Sequence, residues 1–152
     1  MVGGYDYQPG IYHTGNNLTV KFDKYGTFQW FDNPWWSPYD DKKALVCLND
    51  DNTFTVLTSV ADSLFAPEYD YSRIAVIKFT QNGEEVWKKR YGESIPGNFV
   101  YNIKTLPDHG YICVGGQTVQ GKSDIEFMGW ILRLNSYGDS IWFRRYYYSI
   151  TI

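Results

Sequence analysis

Aromatic side chains and carboxylates interleave in three stretches of the chain. Tyr5, Tyr7 and Tyr12 stand with Asp6; Trp35, Trp36 and Tyr39 with Asp40 and Asp41; Phe65, Tyr69 and Tyr71 with Asp62, Glu68 and Asp70. Flat apolar rings beside hydrogen-bond acceptors suit sugars or protein surfaces, because one side of such a ligand stacks while its hydroxyl or amide groups are bound. The same rings serve equally to seal the packing beneath them. Trp35 and Trp36 are the sharpest pair, since neighbouring residues of an extended segment point opposite ways and cannot both turn inward. With Tyr39, Asp40, Asp41, Tyr69, Asp70 and Tyr71 they form the candidate binding set for a glycan or a protein. Asp40, Asp41, Glu68 and Asp70 would also be the acids of a glycoside hydrolase, whose chemistry needs a pair of carboxylates across the scissile bond.

Other chemistry is thinly represented. His13 and His109 stand alone, and Asp108 with His109 reads as turn chemistry. The acids of "SDIE" and "DD" lack the spacing of a calcium-binding loop, so no metal site is expected. "VGG" at 114–116 is followed by neither a helix pattern nor a lysine, which argues against a phosphate cradle. No cofactor and no catalytic nucleophile are indicated. Cys47 and Cys113, each inside an apolar run, read as buried free thiols. The sequon Asn17-Leu18-Thr19 directly precedes an expected strand and carries little weight.

Charge and hydropathy exclude two partner classes. The formal net charge is −3 and the isoelectric point about 5.3, which gives no general attraction to nucleic acid. No apolar run approaches the roughly 18 residues that would indicate membrane insertion. The opening "VGGYDYQPG" has neither the basic nor the apolar region of an export signal.

The elements that must position these residues are announced by a repeat. "KFDKYGTFQW" (21–30), "KFTQNGEEVW" (78–87) and "RLNSYGDSIW" (133–142) share a cation, an apolar residue, three residues and then Gly-x-x-x-Trp. Gly26, Gly83 and Gly138 lie 83 − 26 = 57 and 138 − 83 = 55 positions apart, and Trp30, Trp87 and Trp142 keep the same intervals. At the first offset "TFTVLTS" (53–59) falls on "GYICVGG" (110–116), and Ala44 and Val46 fall on Tyr101 and Ile103. A period of this length marks an array of supersecondary units.

Each unit resolves into four short strands, in keeping with an aromatic content of 19% and recurrent Val, Ile and Thr. The last is clearest, with strands expected at 99–106, 110–118, 129–135 and 140–146. "DKYG", "TQNG" and "NSYG" place glycine fourth in a type I turn, where a left-handed residue is needed. "NDDN" and "LPDH" join the first strand to the second, with Pro107, Asp50, Asp51 and Asp108 suited to turns. The long connections, 5–17, 31–41, 60–73, 92–98 and 119–127, then fall at the opposite end of the strands and hold the aromatic and acidic residues.

A four-stranded antiparallel meander repeated in this way describes a β-propeller blade, which cannot bury both faces until neighbours stack on it. The expectation is an all-β chain of about two and a half blades: 1–41 a partial blade and link, 42–98 and 99–146 full blades, and 147–152 a tail. Remaining blades of a larger propeller would be a partner. Gly26, Trp30, Gly83, Trp87, Gly138 and Trp142 are the structural motif, the tryptophan acting as a plug between blades.

The unit, together with "DHGYICVGG" and "GWILRLNSYGDSIWFRRY", resembles repeats of secreted bacterial β-propeller proteins, many of which carry a type IX secretion sorting domain. The first repeat departs from that pattern in having "WFDNPWW". The resemblance implies a propeller at the cell surface or outside the cell, acting as a scaffold or binding module, and assigns no chemistry. A weaker kinship links Gly-x-x-x-Trp to quinoprotein-like propeller repeats. The vicinal cysteines and calcium-site acid of those enzymes have no counterpart here. After the tryptophan the three copies read "FDN", "KKR" and "FRR", so charge is not kept at these positions while Gly-x-x-x-Trp is. The cations of "WKKRY" (87–91) read as charge guarding an edge strand, with Lys88 and Arg90 on one face and Lys89 on the other.

Overall fold

The structure is a computed structural model that describes residues 2–7, 15–32, 42–61, 71–119 and 126–147. Every regular element among them is a strand. In chain order these are β1 (Val2–Tyr7), β2 (Gly15–Phe22), β3 (Phe28–Asp32), β4 (Lys42–Leu48), β5 (Phe54–Ala61), β6 (Tyr71–Phe79), β7 (Glu85–Pro96), β8 (Asn98–Thr105), β9 (Tyr111–Val119), β10 (Glu126–Leu134) and β11 (Ser140–Tyr147). They form three antiparallel meanders, β1 to β3, β4 to β7 and β8 to β11, each pairing its strands in sequence order.

The three sheets stack in an open row with the middle one between the others. Strand β6, "YSRIAVIKF", shows this in its burial: Ile74, Ala75, Val76 and Ile77 are all buried, so both faces are covered. Strand β10 instead alternates, burying Met128, Trp130, Leu132 and Leu134 on one face only. Between the second and third sheets lies the larger core, in which Leu57, Ile74 and Val76 meet Val100, Cys113 and Leu132. A smaller core of Val56, Ile77 and Phe79 covers the face of the second sheet turned toward the first.

The tight turns follow the sequence. In all three β2–β3, β6–β7 and β10–β11 turns the glycine amide donates to the residue three before it, as from Gly83 to the Thr80 carbonyl at 3.1 Å. Gly26, Gly83 and Gly138 take φ of 82°, 89° and 78°, and the register slips once beside each turn, as expected for a type I turn closed by a bulge. The β4–β5 and β8–β9 turns have the same form with Asn52 and His109, each at φ 60°, in the glycine position. Asparagine and histidine visit this region more readily than most residues. That accounts for His109.

One connection corrects the sequence reading. Residues 92–98 are not a long loop: β7 runs to Pro96, Ser72 and Tyr71 pair with Ile95 and Pro96, and Gly97 alone separates β7 from β8. Gly97 has φ 74° and its carbonyl accepts the Thr118 amide, while Asn98 bonds Ser72 through both backbone and side chain. The extension succeeds because β6 is itself long enough to pair with the added residues.

Candidate functional site

The Gly-x-x-x-Trp motif builds a contact between sheets. The ring of Trp30 lies over Gly83 of the next sheet so closely that a Cβ on Gly83 would stand 2.7 Å from it. Trp87 lies over Gly138 in the same way, 2.8 Å from the position of a Cβ there. Glycine is therefore required twice at these turns, once for positive φ and once as a socket for an aromatic ring. The Trp30 Nε1 donates to the Gln81 carbonyl at 3.0 Å, and its ring packs at 6.1 Å from Phe79. Trp87 meets Tyr111 edge to face at 6.0 Å. Beside it the Tyr91 hydroxyl donates to the Gly138 carbonyl at 2.6 Å and Lys89 pairs with Asp139 at 2.5 Å. Burial pushes the Tyr91 phenol well above the usual range, so it stays a donor.

The cation that opens each motif is a second tie. Lys21, Lys78 and Arg133 each pair directly across a strand with the tryptophan of their own motif. Lys78 Nζ lies 2.8 Å from Asp51, and Arg133 binds Asp108, so each cation holds its sheet's β4–β5 or β8–β9 turn. Lys21 reaches instead into the second sheet, donating to the Gln81 carbonyl at 2.5 Å and lying 5.3 Å from the Phe54 ring. Burial raises the proton affinity of Asp51, but hydrogen bonds from Lys78 and Thr53 outweigh it and bring its pKa to about 2. A carboxylate so held is no proton donor at neutral pH.

Among the described residues, Asn49, Asp50, Asp51, Lys78, Thr105 and His109 line a small cleft of about 10 Å³ at the tight-turn end. That is room for about a single water. Among the described residues no group of three or more His, Cys, Asp or Glu is gathered to hold a metal. Cys113 is buried and Cys47 half-buried, both are free thiols, and burial with Cys47 nearby pushes Cys113 up to about 12. Such a thiol is inert as a nucleophile.

The structure separates the two groups of expected site residues. All six motif residues are described, and Trp30 and Trp87 are brought onto Gly83 and Gly138. Of the candidate binding set, Tyr71 begins β6 opposite Pro96 and is half-buried. Trp35, Trp36, Tyr39, Asp40, Asp41, Tyr69 and Asp70 lie outside the described residues. The KKR cations divide as alternation requires: Lys89 is on the Trp87 face and ties the sheets, while Lys88 pairs with Glu85 on its own strand at 2.8 Å.

Sequence reasoning missed the use of the second "VGG". Trp130 lies across Gly115, where a Cβ would be 2.2 Å from its ring and 2.1 Å from the Phe99 carbonyl, and Trp130 Nε1 donates to the Gly116 carbonyl at 3.0 Å. In the second sheet Ala75 and Thr58 occupy the same cross-strand position. The reciprocal change of size, Trp with Gly against Ala with Thr, was the signal. Comparison of the chain with protein-family models and with curated proteins finds no match.

Proposed function

We propose that the chain is a β-propeller segment of about two and a half blades, acting outside the cell or at its surface as a non-catalytic scaffold. Its end with the long connections binds a glycan or a protein. The reading rests on one observation: the meanders are packed face to face by the same Trp-on-Gly contact, and their five-residue links gather at one end. By topology the connections 8–14, 33–41, 62–70 and 120–125 leave from the other ends of the strands. Loops grouped at one end of a rigid array are where repeat folds display binding residues. Placement outside the cell follows the resemblance to secreted repeats.

Binding to a glycan array, compared between the native chain and Trp35→Ala or Trp36→Ala, tests the reading. The expected result is a set of glycans whose signal falls at least about tenfold in either variant, as for an aromatic hot spot. Glycan binding that both variants retain in full would remove these residues from the site. If no glycan binds, the protein-ligand form of the proposal is left standing alone.

A further inference from the structure

The row of sheets ends in two faces, and each carries one half of the contact that joins its interior. On the outer face of the first sheet, Gly26 has the φ of the buried motif glycines. Among the described residues no atom comes within 4 Å of where its Cβ would stand. Around it Phe22 and Phe31 are 41% and 65% exposed, whereas Phe79 and Leu134, which match Phe22 in the other repeats, are wholly buried. Phe22 and Phe28 contact each other edge to face at 6.3 Å, the rings clustering within their own sheet. On the far face of the third sheet, Trp142 has no glycine beneath it among the described residues, and Arg144 of its own strand lies 5.3 Å from its ring. Ile112, Val114 and Ile131 on that face are half-buried, where the matching Thr55, Leu57 and Val76 of the middle sheet are buried completely.

We infer that the chain associates head to tail with a second copy of itself, Trp142 of one copy seating over Gly26 of the next. The occupant is identified by the contact the molecule already makes twice. Trp30 takes Gly83 and Trp87 takes Gly138. Among the described residues, Trp142 without a socket and Gly26 without a tryptophan are the remaining members of that set. The carbonyl of Lys24 stands two residues before Gly26, as that of Gln81 stands before Gly83, and so offers the acceptor that Trp30 Nε1 finds at Gln81. Arg144 stands two residues after Trp142, as Lys89 stands after Trp87. The Lys89 partner is Asp139, but the matching residue on the receiving face is Thr27, so this contact lacks the ion pair. The two patches lie on opposite faces of the row, so the interface is heterologous: copies add in one direction, to a ring if the rotation closes and to a filament if it does not. This association uses none of the loops invoked for ligand binding and stands or falls apart from them.

Sedimentation velocity of the native chain over a wide concentration range provides the test, with Trp142→Ala and Gly26→Asn as end-specific variants. Asparagine keeps the turn, as Asn52 does at φ 60°, while filling the socket. Both residues lie on outer faces, so a melt that matches the native monomer verifies folding. The native chain is expected to form a concentration-dependent series, and each variant alone to weaken it by about 100-fold, the loss of a buried aromatic anchor. An equimolar mixture of the two variants retains one good head and one good tail and is expected to stop at a dimer. Three results would each overturn the inference. They are a native chain that stays monomeric at every concentration, association that both variants leave unchanged, as strand-edge pairing would give, and a mixture that fails to dimerise.

Discussion

The turn at Gly26 and the turn at Gly83 share a skeleton, a hydrogen-bond pattern and a backbone conformation, with φ of 82° and 89°. They differ in what lies above them. Gly83 supports Trp30, whereas Gly26 has open space among the described residues. The two ends of the motif show the same contrast, since Trp87 is seated on Gly138 and Trp142 is covered by Arg144 from its own strand. Local chemistry therefore explains the turn wherever it occurs, and only stacking turns it into a joint. The glycine that appears invariant within the chain answers to one constraint at the edge and to two inside.

The largest effect that tests this contrast is the removal of a seated ring. Trp87→Ala removes the cover of Gly138 and the edge contact to Tyr111 and is expected to cost about 3 kcal/mol, read from the denaturation midpoint. Trp142→Ala, measured on dilute protein, should fall within about 0.5 kcal/mol of the native chain. Equal losses would mean that the motif stabilises each sheet by itself rather than the stack.

Next comes the socket. Gly83→Ala must pay for positive φ and also displace Trp30, an expected loss of about 3 kcal/mol, while Gly26→Ala carries the backbone term alone, about 1 kcal/mol. The difference between the two substitutions isolates the packing from the turn. Comparable melting temperatures for the pair would show that the ring moves aside without loss.

The smallest effect concerns the cation ties. The folded pKa of Asp51 is about 2 against an ordinary 3.8, so its stabilisation is complete above pH 4 and is lost as the pH falls toward 2. Its carboxylate is largely exposed, so after solvent screening the contribution is no more than about 1 kcal/mol. Asp51→Asn should flatten the acid limb of the stability curve between pH 4 and pH 2 and leave the curve near pH 7 lowered by that amount. An unchanged acid limb would make the Lys78 tie energetically silent. In the first sheet the matching Lys21 is committed across the joint to Gln81, so Lys21→Met should act on the stack instead of on a turn.

Much of the fold was legible from spacing. The three Gly-x-x-x-Trp units placed the turns β2–β3, β6–β7 and β10–β11, and alternation placed the strands within a few residues of their observed limits. The misread segment was 92–98. Its glycines and proline are loop signals, yet β6 offered partners to Ile95 and Pro96 and the strand continued. Trp130 is legible in the sequence only as a letter of the repeat, because its role depends on Gly115, which neighbours it across a strand pair and not along the chain. The loop set around Trp35 and Trp36 was legible as composition, and its arrangement lies outside the described residues.

The sequence by itself determined the all-β character and the chemistry of the five-residue turns, because these depend on residues within a few positions of one another, and the three-part period, because it is a recurrence of such local patterns. The tertiary structure decided which face of each sheet is interior, which glycines are also sockets, and whether a cation ties its own turn or the neighbouring sheet. Those outcomes depend on contacts between residues distant in the chain, from Lys78 with Asp51 inside one sheet to Trp30 with Gln81 or Tyr91 with Gly138 between sheets, and the latter are made only when one sheet presents its turn to the next. Period can be counted along a chain. Adjacency across the stack exists only once both surfaces have formed.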